Sequence, residues 1–221
     1  MKMVSALFPG TVTIDDTEVS TFVIENKALY LKVLKDLYLQ CKGEPGEIIL
    51  SENDETLKIA NRVELITDFV ILEPDSRKML NRICRLMEEE ALGCGNYSKT
   101  MGLISDIERF MDELSDSFSF PLIFEGININ ALIKMSAPKW ADESNTAMEH
   151  IINYMELIRE LLGEKLFVMV GMKNYFSDRD MQDFIYTAVA HKYHVLLLES
   201  FDNTRLDKEH ILLIDNDICE I

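Results

Sequence analysis

Cysteine is scarce and never paired: Cys41, Cys84, Cys94 and Cys219 stand far apart in 221 residues, with no Cys-x-x-Cys. That spacing offers neither a zinc knuckle nor a redox dithiol, and four cysteines over this length make no disulfide scaffold, so reduced, packing cysteines are expected. Of the histidines only His191 and His194 are near neighbours, at the junction of a predicted helix and strand, and packing rather than metal binding is expected of them. Long apolar runs are missing as well. None approaches the roughly 18 to 20 residues of a membrane span, and the segment from Met1 to Leu7 meets Pro9-Gly10 too early for a secretory signal, so a cytoplasmic location is expected. Positive charge is the other shortage, with 22 Lys and Arg against 39 Asp and Glu and a net charge of −17. Such a field repels a phosphate backbone. A nucleic-acid role would need lysines gathered on one surface, carboxylates neutralised by divalent cations, or both. There is no Gly-x-Ser-x-Gly elbow, no His-Glu-x-x-His and no cysteine beside a plausible histidine base, so nothing in the chain supports catalysis.

What is present is a 48% apolar chain, enough for one good core or two modest ones. In its last third, Glu164 to Gly171 and His194 to Glu199 read as buried strands flanking a helical stretch from Asp178 to Lys192. Apolar runs of that length around one amphipathic helix fit a parallel βαβ unit with both sheet faces covered. The loop after the first strand, Gly171 to Asp178, lacks the second glycine and the Lys-Ser/Thr pair that cradle phosphate and magnesium. Glu199 accordingly reads either as a Walker-B-like carboxylate with nothing to coordinate or as a strand-end acid bonding nearby loop backbone. Near the N-terminus, Gly10 to Ile14, Val19 to Glu25, Glu47 to Leu50 and Val63 to Leu72 are strand candidates, the last closing at Pro74, and Lys27 to Gln40 is helical.

From Asp75 the pattern becomes helical. Met79, Ile83, Leu86 and Met87 form one stripe ending at Gly93 and Gly95; Ile104, Ile107, Met111, Leu114 and Phe118 form a second; Met148, Ile151, Met155, Ile158 and Leu162 form a third, closed by Gly163. Phe120 to Phe124 reads as a short strand or extended piece. The expected organisation is an α/β domain from residues 1–74 and 163–221 with an inserted helical domain, 75–162. The inserted stripes serve packing within the chain or contact with another subunit, and an oligomer is expected.

Two clusters are candidate sites. Asp112, Glu113 and Asp116, followed by Glu125, form either a solvated acidic face or a calcium site, since calcium takes several oxygen ligands in flexible geometry. Lys134 and Lys139 lie in a window without acidic residues, Gly126 to Ala141, where a phosphate backbone meets least resistance. In a symmetric ring two lysines per chain would line a lumen.

Three collinear blocks resemble the Csn-two family, the adaptation proteins of type II-A CRISPR systems. They are Phe22-Val23-Ile24-Glu25-Asn26, Ile66-Thr67-Asp68-Phe69-Val70-Ile71-Leu72, and Lys165 to Val170 with Leu196-Leu197-Leu198-Glu199. The resemblance implies an α/β head like a degenerate P-loop ATPase with an inserted α-helical leg. It further implies a non-enzymatic, calcium-dependent homotetrameric ring that binds double-stranded DNA ends through a lysine-lined pore in spacer acquisition, a step of antiviral defence. Its partners would be the CRISPR integrase complex and the RNA-guided effector nuclease. Before Ile127 the chain departs from the family's denser acidic run, with Ser115, Ser117, Phe118, Ser119 and Phe120 there. Two rival functions are a nucleotide-binding switch on the α/β head and a protein scaffold that does not touch DNA.

Overall fold

In chain order the strands are β1 (Lys2–Ser5), β2 (Phe8–Thr13), β3 (Val19–Ile24), β4 (Ile48–Glu52), β5 (Glu55–Leu57), β6 (Val63–Ile66), β7 (Leu166–Val170), β8 (His194–Glu199) and β9 (Glu209–Ile214). The helices are α1 (Lys27–Cys41), α2 (Ile59–Arg62), α3 (Ser76–Leu92), α4 (Tyr97–Ser115), α5 (Ile129–Met135), α6 (Ala147–Leu162) and α7 (Asp178–Ala190). The structure is a computed structural model and describes residues 1–70, 72 and 76–221.

The two runs that read as buried strands pair in parallel, β7 with β8, joined through α7. They belong to a five-stranded sheet in the order β6-β7-β8-β3-β9 whose neighbours are all parallel. A strand covered on both faces has no polar side to present, which is why β3 and most of β7 and β8 are buried at successive positions. On one face α1 lays Leu29, Val33 and Leu37 over Phe22, Ile24, Leu196, Leu198, Leu212 and Ile214. Asn26 caps that helix by accepting from the Leu29 N–H at 3.0 Å. The same core takes in Met3, Phe8, Val12, Ile48 and Leu50 from a four-stranded antiparallel sheet, β2-β1-β4-β5. On the other face the Tyr154 hydroxyl of α6 donates to Glu64 of β6 at 2.6 Å. Met181, Phe184, Ile185 and Ala188 of α7 are buried there as well.

The chain divides into two compact units, residues 1–72 with 143–221 and residues 73–142. Helix α6 lies in the first, although its stripe reads in the sequence as part of the insert. Its apolar face, Ile151, Tyr154, Met155, Ile158 and Leu161, is buried, and periodicity alone does not say against what. The second unit carries α3, α4 and α5. Thr100 holds the start of α4 to the end of α3 through the Ala91 carbonyl at 2.7 Å, and the Asn130 amide of α5 donates to Glu88 of α3 at 2.5 Å.

Several expectations need correction. The strand expected over 63–72 stops at Ile66, after which Asp68 accepts from the Val70 N–H at 2.8 Å, a side-chain bond that turns the chain. The stop expected at Pro74 and the helix start at Asp75 lie outside the described residues. Phe120 to Phe124 is irregular and exposed rather than a strand, with Pro121 in it removing a ladder donor. Sequence reasoning passed over β1, β5, β9 and α2. No helix among the described residues is long and apolar enough to cross a membrane.

Candidate functional site

In parallel sheets ligands bind beyond the carboxyl ends of the strands, so the loop after β7 is the first place to look. Gly171 turns the chain there at φ 68°, the left-handed region that glycine enters at least cost. A short 3-10 turn follows over Met172–Asn174. Successive N–H groups after such a turn form a concave anion-binding nest. Here the nest is already filled. The Lys173 N–H donates to Glu199 Oε1 at 3.1 Å. Glu199 is fully buried at the end of β8. Burial is the main cause that pushes its carboxyl up to about 7; the Lys173 N–H and ammonium pull the other way, and Glu209 adds to the rise. Its Oε2 has no partner among the described residues.

The one lysine of this loop is engaged as well. Lys173 Nζ pairs with Glu209 Oε1 at 2.5 Å, the two side chains 6% and 0% exposed, and also donates to the Thr204 carbonyl at 3.3 Å. Glu209 accepts from the Thr21 hydroxyl at 2.5 Å and from the Leu206 N–H at 3.0 Å. At the start of α7, Ser177 and Asp180 form a reciprocal capping box. The nest, the lysine and the helix start are therefore each met by a carboxylate of the chain itself, Glu199, Glu209 and Asp180. Of the two readings of Glu199, the geometry matches the acid that bonds nearby loop backbone. Glu209 and Thr21 went unnoticed in the sequence because nothing local marks a contact across 188 residues.

The other candidate residues lie in the second unit. Asp112 and Glu113 are on the last turn of α4, Asp116 is its C-cap, and Glu125 sits in the irregular segment that follows. All four are exposed. Among the described residues no three His, Cys, Asp or Glu side chains gather so as to hold a metal ion. Asp112 and Asp116 stand one turn apart at the negative end of the helix dipole, an arrangement that local electrostatics disfavours. Lys134 lies in the last turn of α5 and Lys139 in the segment after it, both exposed. Ala137 between them takes φ 45°, turning the chain just before Pro138.

Comparison with known proteins gives a family and a fold. The family model described as CRISPR-associated protein (Cas_Csn2) matches residues 40–218. No curated protein matches the chain in sequence. Among solved structures it is similar to the crystal structure of Stu0660 of Streptococcus thermophilus, with a TM-score of 0.61 and 13% identity, covering 97% of this chain and 75% of that one. At that identity the likeness is one of fold. A putative ABC transporter ATP-binding protein from Pyrococcus furiosus superposes with a TM-score of 0.41 at 13% identity, over 96% of this chain and 97% of that one.

Proposed function

The chain belongs to the CRISPR-associated protein family Cas_Csn2, and we propose that it is a non-enzymatic protein that binds double-stranded DNA ends during spacer acquisition. In this reading it works as a homotetrameric ring, with a degenerate P-loop-like head and residues 73–142 as the inserted leg. The leg offers Lys134 and Lys139 to the DNA backbone. The integrase complex and the effector nuclease are its protein partners.

The observation that carries this reading against a nucleotide switch is the self-occupied loop after β7. A bound nucleotide would have to expel Glu199 from the Gly171 nest and Glu209 from Lys173. Displacing Glu209 breaks a buried ion pair, which costs on the order of 3–5 kcal/mol, and displacing Glu199 leaves the Lys173 N–H without its acceptor. Phosphate-backbone binding on the second unit requires no such disruption.

Calcium belongs to the proposal as an expectation of the family, with Asp112, Glu113, Asp116 and Glu125 as its donors. Their exposed, mutually repelling placement is consistent with an ion that gathers them. The deciding experiment is a gel shift with linear duplex, closed circular plasmid and ATP competition, each with and without calcium. Linear duplex should be retained in calcium, circular DNA poorly retained, and ATP without effect. Equal binding of linear and closed DNA would point to an open groove rather than a ring. Tight ATP binding by calorimetry would favour the switch.

A further inference from the structure

Helix α1 takes Leu29, Val33 and Leu37 into the core and leaves its other side open. That side carries four lysines, Lys27, Lys32, Lys35 and, at the C-cap, Lys42, together with Leu31, Tyr38 and Leu39. At about 100° per residue the seven fall within an arc of roughly 140°. All are exposed, Leu31 at 64% and Tyr38 at 52%. No carboxylate of the helix shares the arc. Its one acid, Asp36, is turned to the chain entering β4, where it accepts from the Glu47 and Ile48 N–H groups at 2.9 and 3.0 Å. Glu25, ahead of the helix, accepts from the Asn216 amide at 3.3 Å. Among the described residues none of the four ammonium groups forms an ion pair, and Lys42 lies over the Tyr38 ring at 5.6 Å.

Helix stability does not account for this arrangement. A lysine at the C-cap suits the macrodipole, but Lys27 in the first turn opposes it. The exposed side of α7, by contrast, mixes Arg179 with Asp178, Asp180 and Asp183. In a chain of net charge −17, a side with cations alone is complementary to an acidic neighbour. Single exposed leucines are ordinary, whereas three large apolar side chains set among cations have the make-up of a contact patch with an apolar centre and a charged rim. The apolar part decides which acidic neighbour fits. A phosphate backbone offers nothing to bury Leu31 and Leu39 against, while an acidic amphipathic helix brings both carboxylates and an apolar stripe. A two-fold contact with a second copy would set four lysines against four. Lys27 to Lys42 rise about 22 Å along the axis, room for about four turns of a partner helix.

We propose that the outer side of α1, with Leu31 and Tyr38 at its centre and Lys27, Lys32, Lys35 and Lys42 around them, is a docking surface for an acidic amphipathic segment of another protein. The proposal rests on the reading above that the integrase complex and the effector nuclease are partners, and it adds the surface. The test titrates the purified integrase complex and the purified effector nuclease, each at low and high salt, against three forms of the chain. These are the parent, a variant with the four lysines changed to Gln, and Leu31→Gln with Tyr38→Gln. Circular dichroism, light scattering, a gel shift with linear duplex and flotation with phosphatidylserine vesicles accompany each form. One of the two proteins should bind the parent, more weakly as salt rises. The lysine variant should lose at least about tenfold in affinity together with most of the salt dependence. The Leu31 and Tyr38 variant should lose about as much and keep that dependence. Both should keep the fold, the oligomeric state and the duplex binding of the parent. Should the fourfold variant not fold, Lys32→Gln with Lys35→Gln should show a smaller loss of the same kind. Protein binding undiminished in the variants would overturn this inference alone. A parent that binds neither protein would remove the partner reading and this surface with it. Duplex or vesicle binding lost in the lysine variant, with protein binding unchanged, would assign the face to phosphate instead. A changed oligomeric state would assign it to contact between copies.

Discussion

Glu199 and Lys173 show how single residues close the head of the sheet. The folded value of Glu199, about 7, lies above its ordinary 4.5, with burial the main cause. The folded state therefore holds a proton that the unfolded state releases between those values. The contribution of Glu199 to stability accordingly falls as pH rises through that window and is flat above it. Glu199→Gln keeps an acceptor for the Lys173 N–H and removes the buried charge. The variant should match the parent near pH 4.5 and exceed it at pH 8 by roughly 1–3 kcal/mol in urea denaturation. Lower stability of the variant at pH 8 would show that the carboxylate is a net stabiliser there. Lys173→Met leaves Glu209 buried without its cation and should cost about 3–5 kcal/mol. Adding Glu209→Gln should restore most of that, because the uncompensated charge is then gone. No recovery in the double variant would place the loss in packing of the lysine stem.

At the scale of elements, α7 is well ended and α4 is not. Ser177→Ala deletes one arm of the capping box at the start of α7 and should destabilise the chain by about 1 kcal/mol. A loss below the error of the measurement would mean that tertiary packing alone orders that turn. Helix α4 ends in Asp112, Glu113 and Asp116, where both the dipole and the neighbouring carboxylates disfavour negative charge. Asp112→Asn with Asp116→Asn should therefore raise calcium-free stability by a few tenths of a kcal/mol. If these groups hold calcium, millimolar calcium should raise the melting temperature of the parent as RT ln(1 + [L]/Kd) requires. Asp116→Asn with Glu125→Gln should abolish that rise. A double variant that still responds like the parent would move the ion elsewhere.

For the whole molecule, charge and apolar exposure divide unevenly. Residues 73–142 hold eight of the 22 Lys and Arg but 12 of the 39 Asp and Glu, so the larger unit carries most of the negative excess. The smaller unit leaves Leu103, Phe110, Leu114, Phe118, Phe120 and Ile123 exposed, the last at 94%. Apolar surface of that extent is costly in water and fits contact between copies. The protein should behave as a tetramer in light scattering at micromolar concentration, and a species of 25.5 kDa would remove the ring. Ile107→Asp or Met111→Asp puts a charge on the half-buried side of α4 and should dissociate the assembly. An intact tetramer in both variants would place the subunit contact on other residues.

Local chemistry made much of this protein readable. The continuous apolar runs of β7 and β8 announced strands covered on both faces. The stripes of α3, α4 and α6 and the stop at Gly163 gave helices close to their observed ends. The missing Gly-Lys-Ser/Thr already set the loop after β7 apart from a phosphate cradle. Tertiary structure decided what fills that loop, because Glu199 lies 26 residues from Lys173 and Glu209 lies 188 from Thr21. It also decided that β9 pairs with β3 from the far end of the chain and that α6 belongs with the larger unit. Periodicity names the side of a helix that is buried, but the partner is set by parallel pairings between distant segments. Short-range sequence pattern carries no record of those pairings.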